Sequence, residues 1–203
     1  IDQDVAELIG QVAGGLGNGR QELQPLREQI IVVHQIGLVL LLRVAGLEAL
    51  QILPYRRRPG PDEDDFRWEK PDPVEARAVR ASVAGGAVRR LAVHSRYVPF
   101  LASQDRDSRQ SSIDLLAREL GFARDLGGAE FVLHLGAYSP GSNPEEGMRL
   151  FAEGVAEAYA HAPDAPRLVM ENVPGGGRRM GGSLEELAAL RVELSKRGID
   201  SGV

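Results

Sequence analysis

The sequence contains no cysteine. Disulfides, thiolate nucleophiles and cysteine-ligated zinc are therefore excluded, while sites built from histidine and carboxylate stay open. The absence also fits a cytoplasmic protein. Lysine is nearly missing as well. Lys70 and Lys196 stand alone among 24 basic residues, and the others are arginine, whose planar fork grips phosphate in a bidentate way. No apolar run is long enough to cross a membrane: the strongest, Ile30 to Leu42, contains His34 and Gln35 and stops at Arg43. The first residues, Ile1-Asp2-Gln3-Asp4, lack the basic start of a secretory signal, and no initiator methionine precedes them, as in a fragment or a processed chain. Positive charge does not dominate either. Asp+Glu number 29 against Lys+Arg 24, a net charge of −5. That balance speaks against a general polyanion binder and leaves room for a local basic patch.

What is present is ordinary globular material: 203 residues, 43% hydrophobic and 26% charged. A single domain of this size buries about 70% of its unfolded surface, so a core can form. Residues Gly14 to Gly19 read as a loop, and Ile30 to Leu42 as a buried strand or helix that periodicity does not separate. From residue 46 the pattern is regular. Strands are expected at Glu48 to Leu53, Arg90 to His94, Ala129 to Leu135 and Arg167 to Glu171, with another opening at Ile199 to Val203. Helices are expected at Val74 to Val83 and Ser111 to Leu126. A third follows the cap Asn143-Pro144-Glu145-Glu146 as far as His161, and a fourth follows the capping box Ser183-Leu184-Glu185-Glu186 to near Arg197. Strand and helix alternate at a period of about 40 residues, which implies a parallel sheet with helical crossovers. Two architectures satisfy this, a (β/α)8 barrel and an open doubly wound sheet. The chain is short for the first, which typically needs about 250 residues.

Three strands end alike. Leu91-Ala92-Val93 stops at His94, Phe131-Val132-Leu133 at His134, and Leu168-Val169-Met170 at Glu171. In a parallel sheet all three side chains lie at the carboxyl edge, where barrels build their active sites. Two imidazoles and one carboxylate suit Zn2+ with a position left for water, whose pKa the metal lowers to about 7. His161 reads as a helix-end residue and His34 as a buried structural one. The basic residues Arg56 to Arg58, Arg96, Arg178 and Arg179 fall in expected loops at the same edge, where they would form a phosphate-binding patch.

His94-Ser95-Arg96-Tyr97 is followed by Leu101-Ala102-Ser103 and by a helix holding Ser111-Ser112-Ile113 and Glu119-Leu120. Phe131-Val132-Leu133-His134 with Gly136 comes next. Glu171-Asn172 with Gly175, Gly177 and Gly181 then leads to Leu184-Glu185-Glu186-Leu187. Through these motifs the stretch from residue 46 to 203 resembles the endonuclease IV family, zinc-dependent apurinic/apyrimidinic endonucleases among the xylose-isomerase-like TIM barrels. The fold so implied is a (β/α)8 barrel, incomplete at about five βα units. Residues 1–45 would be a poorly matched, irregular first unit and residues 46–203 a partial AP-endonuclease domain. Phe100 stands where the family has Asn, and Leu135 where it has Pro.

The resemblance further implies that His94, His134 and Glu171 ligate one zinc of a three-zinc site, with Glu171 bridging to a second. The ligands for the other two zincs would lie beyond Val203. Glu171 and Tyr97 would be the catalytic positions, and Arg58, Arg96, Tyr97, Arg178 and Arg179 the DNA contacts. The implied reaction is cleavage of the phosphodiester 5′ to an abasic site by metal-activated hydroxide, leaving a 3′-hydroxyl. The partner would be duplex DNA carrying abasic sites, bound by a monomer free of membranes, and residues 1–203 alone are expected to be inactive. The alternatives are a sugar isomerase or epimerase on the same barrel, and a part-barrel without catalysis.

Overall fold

The computed structural model describes residues 31–33, 49–53, 73–95 and 100–203. The expectations placed on Gly14 to Gly19, His34, Arg58, Arg96 and Tyr97 lie outside these residues. The described strands are β1 (Ile31–Val33), β2 (Ala49–Ile52), β3 (Arg90–His94), β4 (Glu130–His134), β5 (Arg167–Glu171) and β6 (Ser201–Gly202). Four described helices connect β2 through to β6: α1 (Pro73–Ala84), α2 (Arg106–Leu126), α3 (Pro144–His161) and α4 (Leu184–Ser195).

All neighbouring strands pair in parallel, and their order across the sheet is their order in the chain. This decides between the two architectures. An open doubly wound sheet reverses its strand order at a switch point, whereas a barrel adds each strand beside the last. The described residues make six consecutive strands of a TIM-type barrel. One of them, β1, belongs to the N-terminal stretch that the motifs leave poorly matched.

Alternation along each strand separates the two faces. Leu91, Val93, Phe131, Leu133, Leu168 and Met170 are at most 1% exposed and join Leu120, Ala123, Phe151, Val155, Leu190 and Leu194 of the helices in one core. Their neighbours Ala92, His94, Val132, His134, Val169 and Glu171 are half-buried on the opposite face. The period of two thus carries both functions of a strand: one face glues it to the helices, and the other presents the terminal side chain inward.

The helices begin where a side chain caps them. Asp105 accepts from the Ser108 amide at 2.8 Å, so α2 starts at Arg106 and not at Ser111 as the apolar pattern suggests. Its first turn, Arg106 to Gln110, carries no apolar residue, and periodicity is blind there. The helix then buries Ile113, Leu116, Leu120 and Ala123 at helical spacing. It ends at Gly127, whose φ of 80° lets the chain turn back and satisfy the last carbonyls. Asn143 caps α3 through the Glu145 amide at 2.9 Å, with Pro144 in the first turn. Among the described residues no helix is long and apolar enough to cross a membrane.

Candidate metal centre

His94, His134 and Glu171 close three successive strands, β3 to β5, and the sheet brings their ligand atoms within 4.8 Å of one another. His134 and Glu171 are register partners, whereas His94 pairs with Val132, one inward-facing position earlier. The three side chains therefore meet across a stagger. One carboxylate oxygen serves both rings: Glu171 Oε2 lies 2.8 Å from His94 Nε2 and 3.1 Å from His134 Nδ1. The imidazoles stand nearly edge to face, with centroids 4.9 Å apart and planes at 70°.

Ser95 orients this pair. Its backbone carbonyl lies 2.8 Å from His94 Nδ1, so that nitrogen carries the proton and donates it. Nε2 is then left to face the Glu171 oxygen. The donor set of two imidazole nitrogens and a carboxylate oxygen fits a divalent metal. The Ser95 amide donates to the Val132 carbonyl at 2.7 Å, and its hydroxyl accepts from the His134 amide at 3.3 Å. Buried Ser95 thus touches one ligand through its carbonyl and the backbone of the other through its side chain. Burial lowers the pKa of His134; the Glu171 carboxylate pulls it back up and His94 presses it down. The net effect keeps its imidazole neutral near pH 7, the form that binds metal.

The loops beyond two of the ligands are joined. After His134 the chain runs through Leu135, Gly136, Ala137 and Tyr138; after Glu171 it makes the glycine-rich loop 172–182. Tyr138 donates its amide to the Arg178 carbonyl at 2.9 Å, and Met180 donates to the Gly136 carbonyl at 3.1 Å, around an antiparallel bridge of Ala137 and Arg179. Val173 donates to Gly181 at 3.1 Å and closes the base of the loop. Arg178 and Arg179 sit at its tip, exposed and without a carboxylate partner among the described residues.

Glu186 departs from expectation. Ser183 caps α4 by accepting from the Glu186 amide at 3.2 Å, but the Glu186 carboxylate does not return to the Ser183 amide as a capping box requires. It accepts from the amides of Gly181 at 2.7 Å and Gly182 at 3.0 Å, and from the Tyr138 hydroxyl at 2.5 Å. The sequence signals a carboxylate at the third helical position but not its partners, because Tyr138 comes from a loop without periodicity. Ser95 carries no signal beyond its place after His94.

Comparison with known proteins agrees with this architecture. A family model described as xylose isomerase-like TIM barrel matches residues 39–199. The chain is 36% identical over 127 residues to a probable endonuclease 4 of Solibacter usitatus, an alignment covering 62% of this chain and 43% of that protein. The crystal structure of endonuclease IV from Thermus thermophilus superposes with a TM-score of 0.61 at 28% identity, covering 80% of this chain and 57% of that one. A D-psicose 3-epimerase crystallised in the presence of D-fructose superposes at 0.57 with 14% identity, over 85% and 61% of the two chains, which speaks to the fold alone. The chain spans less than half the length of the first curated relatives it matches. With strand order and the matched residues in accord, the chain belongs to the xylose isomerase-like TIM barrel family.

Proposed function

We propose that this chain carries part of the metal centre of a DNA-repair hydrolase that cleaves the phosphodiester 5′ to abasic sites in duplex DNA. The observation that carries the reading is the convergence of His94 and His134 on a single carboxylate oxygen of Glu171, in a chain whose relatives are named endonuclease 4. His94 Nε2, His134 Nδ1 and Glu171 Oε2 would hold Zn2+, one of the three zincs that the family resemblance implies. When bound, the metal supplies Lewis-acid stabilisation of charge on the phosphate and acidifies a water.

The chain's own residues supply the rest. Ser95 holds the His94 ring so that Nε2 faces inward. Arg178 and Arg179, exposed on the loop after Glu171 with no carboxylate partner among the described residues, offer guanidinium donors to phosphate oxygens. Arg58, Arg96 and Tyr97 enter the reading through the sequence motif alone. An abasic nucleotide is readily turned out of the duplex because it has no base pair to lose.

The test uses the protein expressed from its complete reading frame and a duplex with one abasic site. Expected are incision 5′ to the lesion with a 3′-hydroxyl product, loss of activity on chelation, and recovery with zinc. Incision that persists without metal, or epimerisation of a ketose with no incision, would overturn the reading.

A further inference from the structure

We propose that Glu186 and Tyr138 are positioning residues for the metal centre, a latch that sets Glu171 through Gly181. The inference rests on the metal reading above. Glu186 is half-buried at the start of α4, and its carboxylate takes three donors: the Gly181 and Gly182 amides and the Tyr138 hydroxyl. A single side chain therefore ties together α4, the loop after His134 and the loop after Glu171. Three donors on one carboxylate make a strong, charge-assisted anchor.

The path from latch to ligand is short. Gly181, gripped by Glu186, returns its own carbonyl to the Val173 amide at 3.1 Å, two residues past Glu171. Its Cα also packs against both ligand-bearing segments. A β-carbon there would lie 2.7 Å from Leu135 Cδ1, next to His134, and 3.5 Å from the Glu171 carbonyl oxygen. With a φ of 86°, this position also disfavours any side chain. Any shift of Gly181 is therefore passed to the backbone of Glu171 and to the residue after His134. Tyr138 is fixed in turn: its ring fills the space over Gly147 of α3, where a β-carbon would come within 2.3 Å. Burial and the hydrogen bond to Glu186 push the Tyr138 phenol pKa up, so it keeps the proton that the latch needs.

A cap-only role predicts something different. If Glu186 merely stabilised α4, losing it would resemble losing Ser183, the actual N-cap. If it positions Glu171, the metal site itself must report its loss.

Cobalt(II) makes the two separable, since its visible absorption reports ligand geometry and its titration reports affinity. The chain and the variants Glu186→Ala, Glu186→Gln, Tyr138→Phe and Ser183→Ala are titrated with cobalt(II), and thermal unfolding is followed in parallel. Glu186→Ala is expected to weaken cobalt binding by about 10–100-fold, the range for outer-shell partners, and to alter the spectrum. Tyr138→Phe should do the same to a lesser degree. Glu186→Gln should stay near the wild type, because its carbonyl can accept from both glycine amides while its NH2 donates to the tyrosine oxygen. Ser183→Ala should lower the unfolding temperature and leave the spectrum unchanged. Wild-type affinity and spectrum in Glu186→Ala, or equal changes in Ser183→Ala, would overturn the latch. A wild-type chain that takes up no cobalt would overturn the metal reading beneath it, and that result appears in the first titration, before any variant.

Discussion

The two edges of the sheet treat charge in opposite ways. At the amino edge, Arg90 at the start of β3 pairs with Glu130 at the start of β4, and Arg167 at the start of β5 with Asp200 just before β6. Each of these cations has an anion of its own, and the charges close on themselves. At the carboxyl edge one carboxylate faces two imidazoles, and Arg178 and Arg179 of the neighbouring loop have no carboxylate among the described residues. Among the described residues, the same strands thus end in one rim where Arg90 and Arg167 are paired and one where Arg178 and Arg179 are not. In barrels the first kind of edge serves stability and the second serves chemistry. Charge left open among the described residues of that rim is the feature a ligand would complete.

The largest expected effect contrasts a glutamate at each edge. Glu171→Ala should lower zinc affinity by more than about 100-fold, beyond the loss seen for outer-shell groups. Glu130→Ala should leave zinc affinity unchanged and cost little stability, since its partner Arg90 is largely exposed. Competition with a chromogenic chelator and denaturant melts would measure both. Equal metal losses at the two edges would erase the distinction.

A smaller effect is expected at Ser95. Ser95→Ala keeps the carbonyl that orients His94 but removes the hydroxyl to which the His134 amide donates. Zinc affinity, measured by equilibrium dialysis, should fall about tenfold. An unchanged affinity would show that the carbonyl alone organises the pair.

The smallest concerns pH at the N-terminus of α2, which opens on the carboxyl side. The Ser108 amide, and then its hydroxyl, hold the Asp105 carboxyl below its ordinary pKa of 3.8. A folded-state pKa below the unfolded one means stability that is present above pH 3.8 and lost as pH falls below it. Asp105→Asn retains a capping oxygen and should remove that part of the acid dependence. Acid melts in which the two proteins lose stability in parallel would contradict the cap's role.

Much of this contrast can be read before folding. The apolar triplets ending in His94, His134 and Glu171 announce strand ends, and β3 and β5 occupy the expected residues. Alternation alone puts all three of these side chains on one face. The strand order that selects the barrel is not legible locally, because both architectures share the same alternation and differ only in long-range pairing. The start of α2 is hidden by a first turn without apolar residues, where a single capping side chain decides. Glu186 is legible as a helix signal but not in its partners, since a carboxylate near an N-terminus finds whichever donors tertiary packing supplies. Neither Ser95 nor Tyr138 belongs to a periodic pattern, and their roles exist only once β3 meets β4 and the two loops join.

Whether His94, His134 and Glu171 hold a metal is settled by crystallography. Crystals of the chain grown with zinc would be measured on both sides of the zinc absorption edge. An anomalous peak is expected, bounded by His94 Nε2, His134 Nδ1 and Glu171 Oε2. An ordered site with no peak there, Glu171 remaining in direct contact with both imidazoles at high zinc, would contradict it.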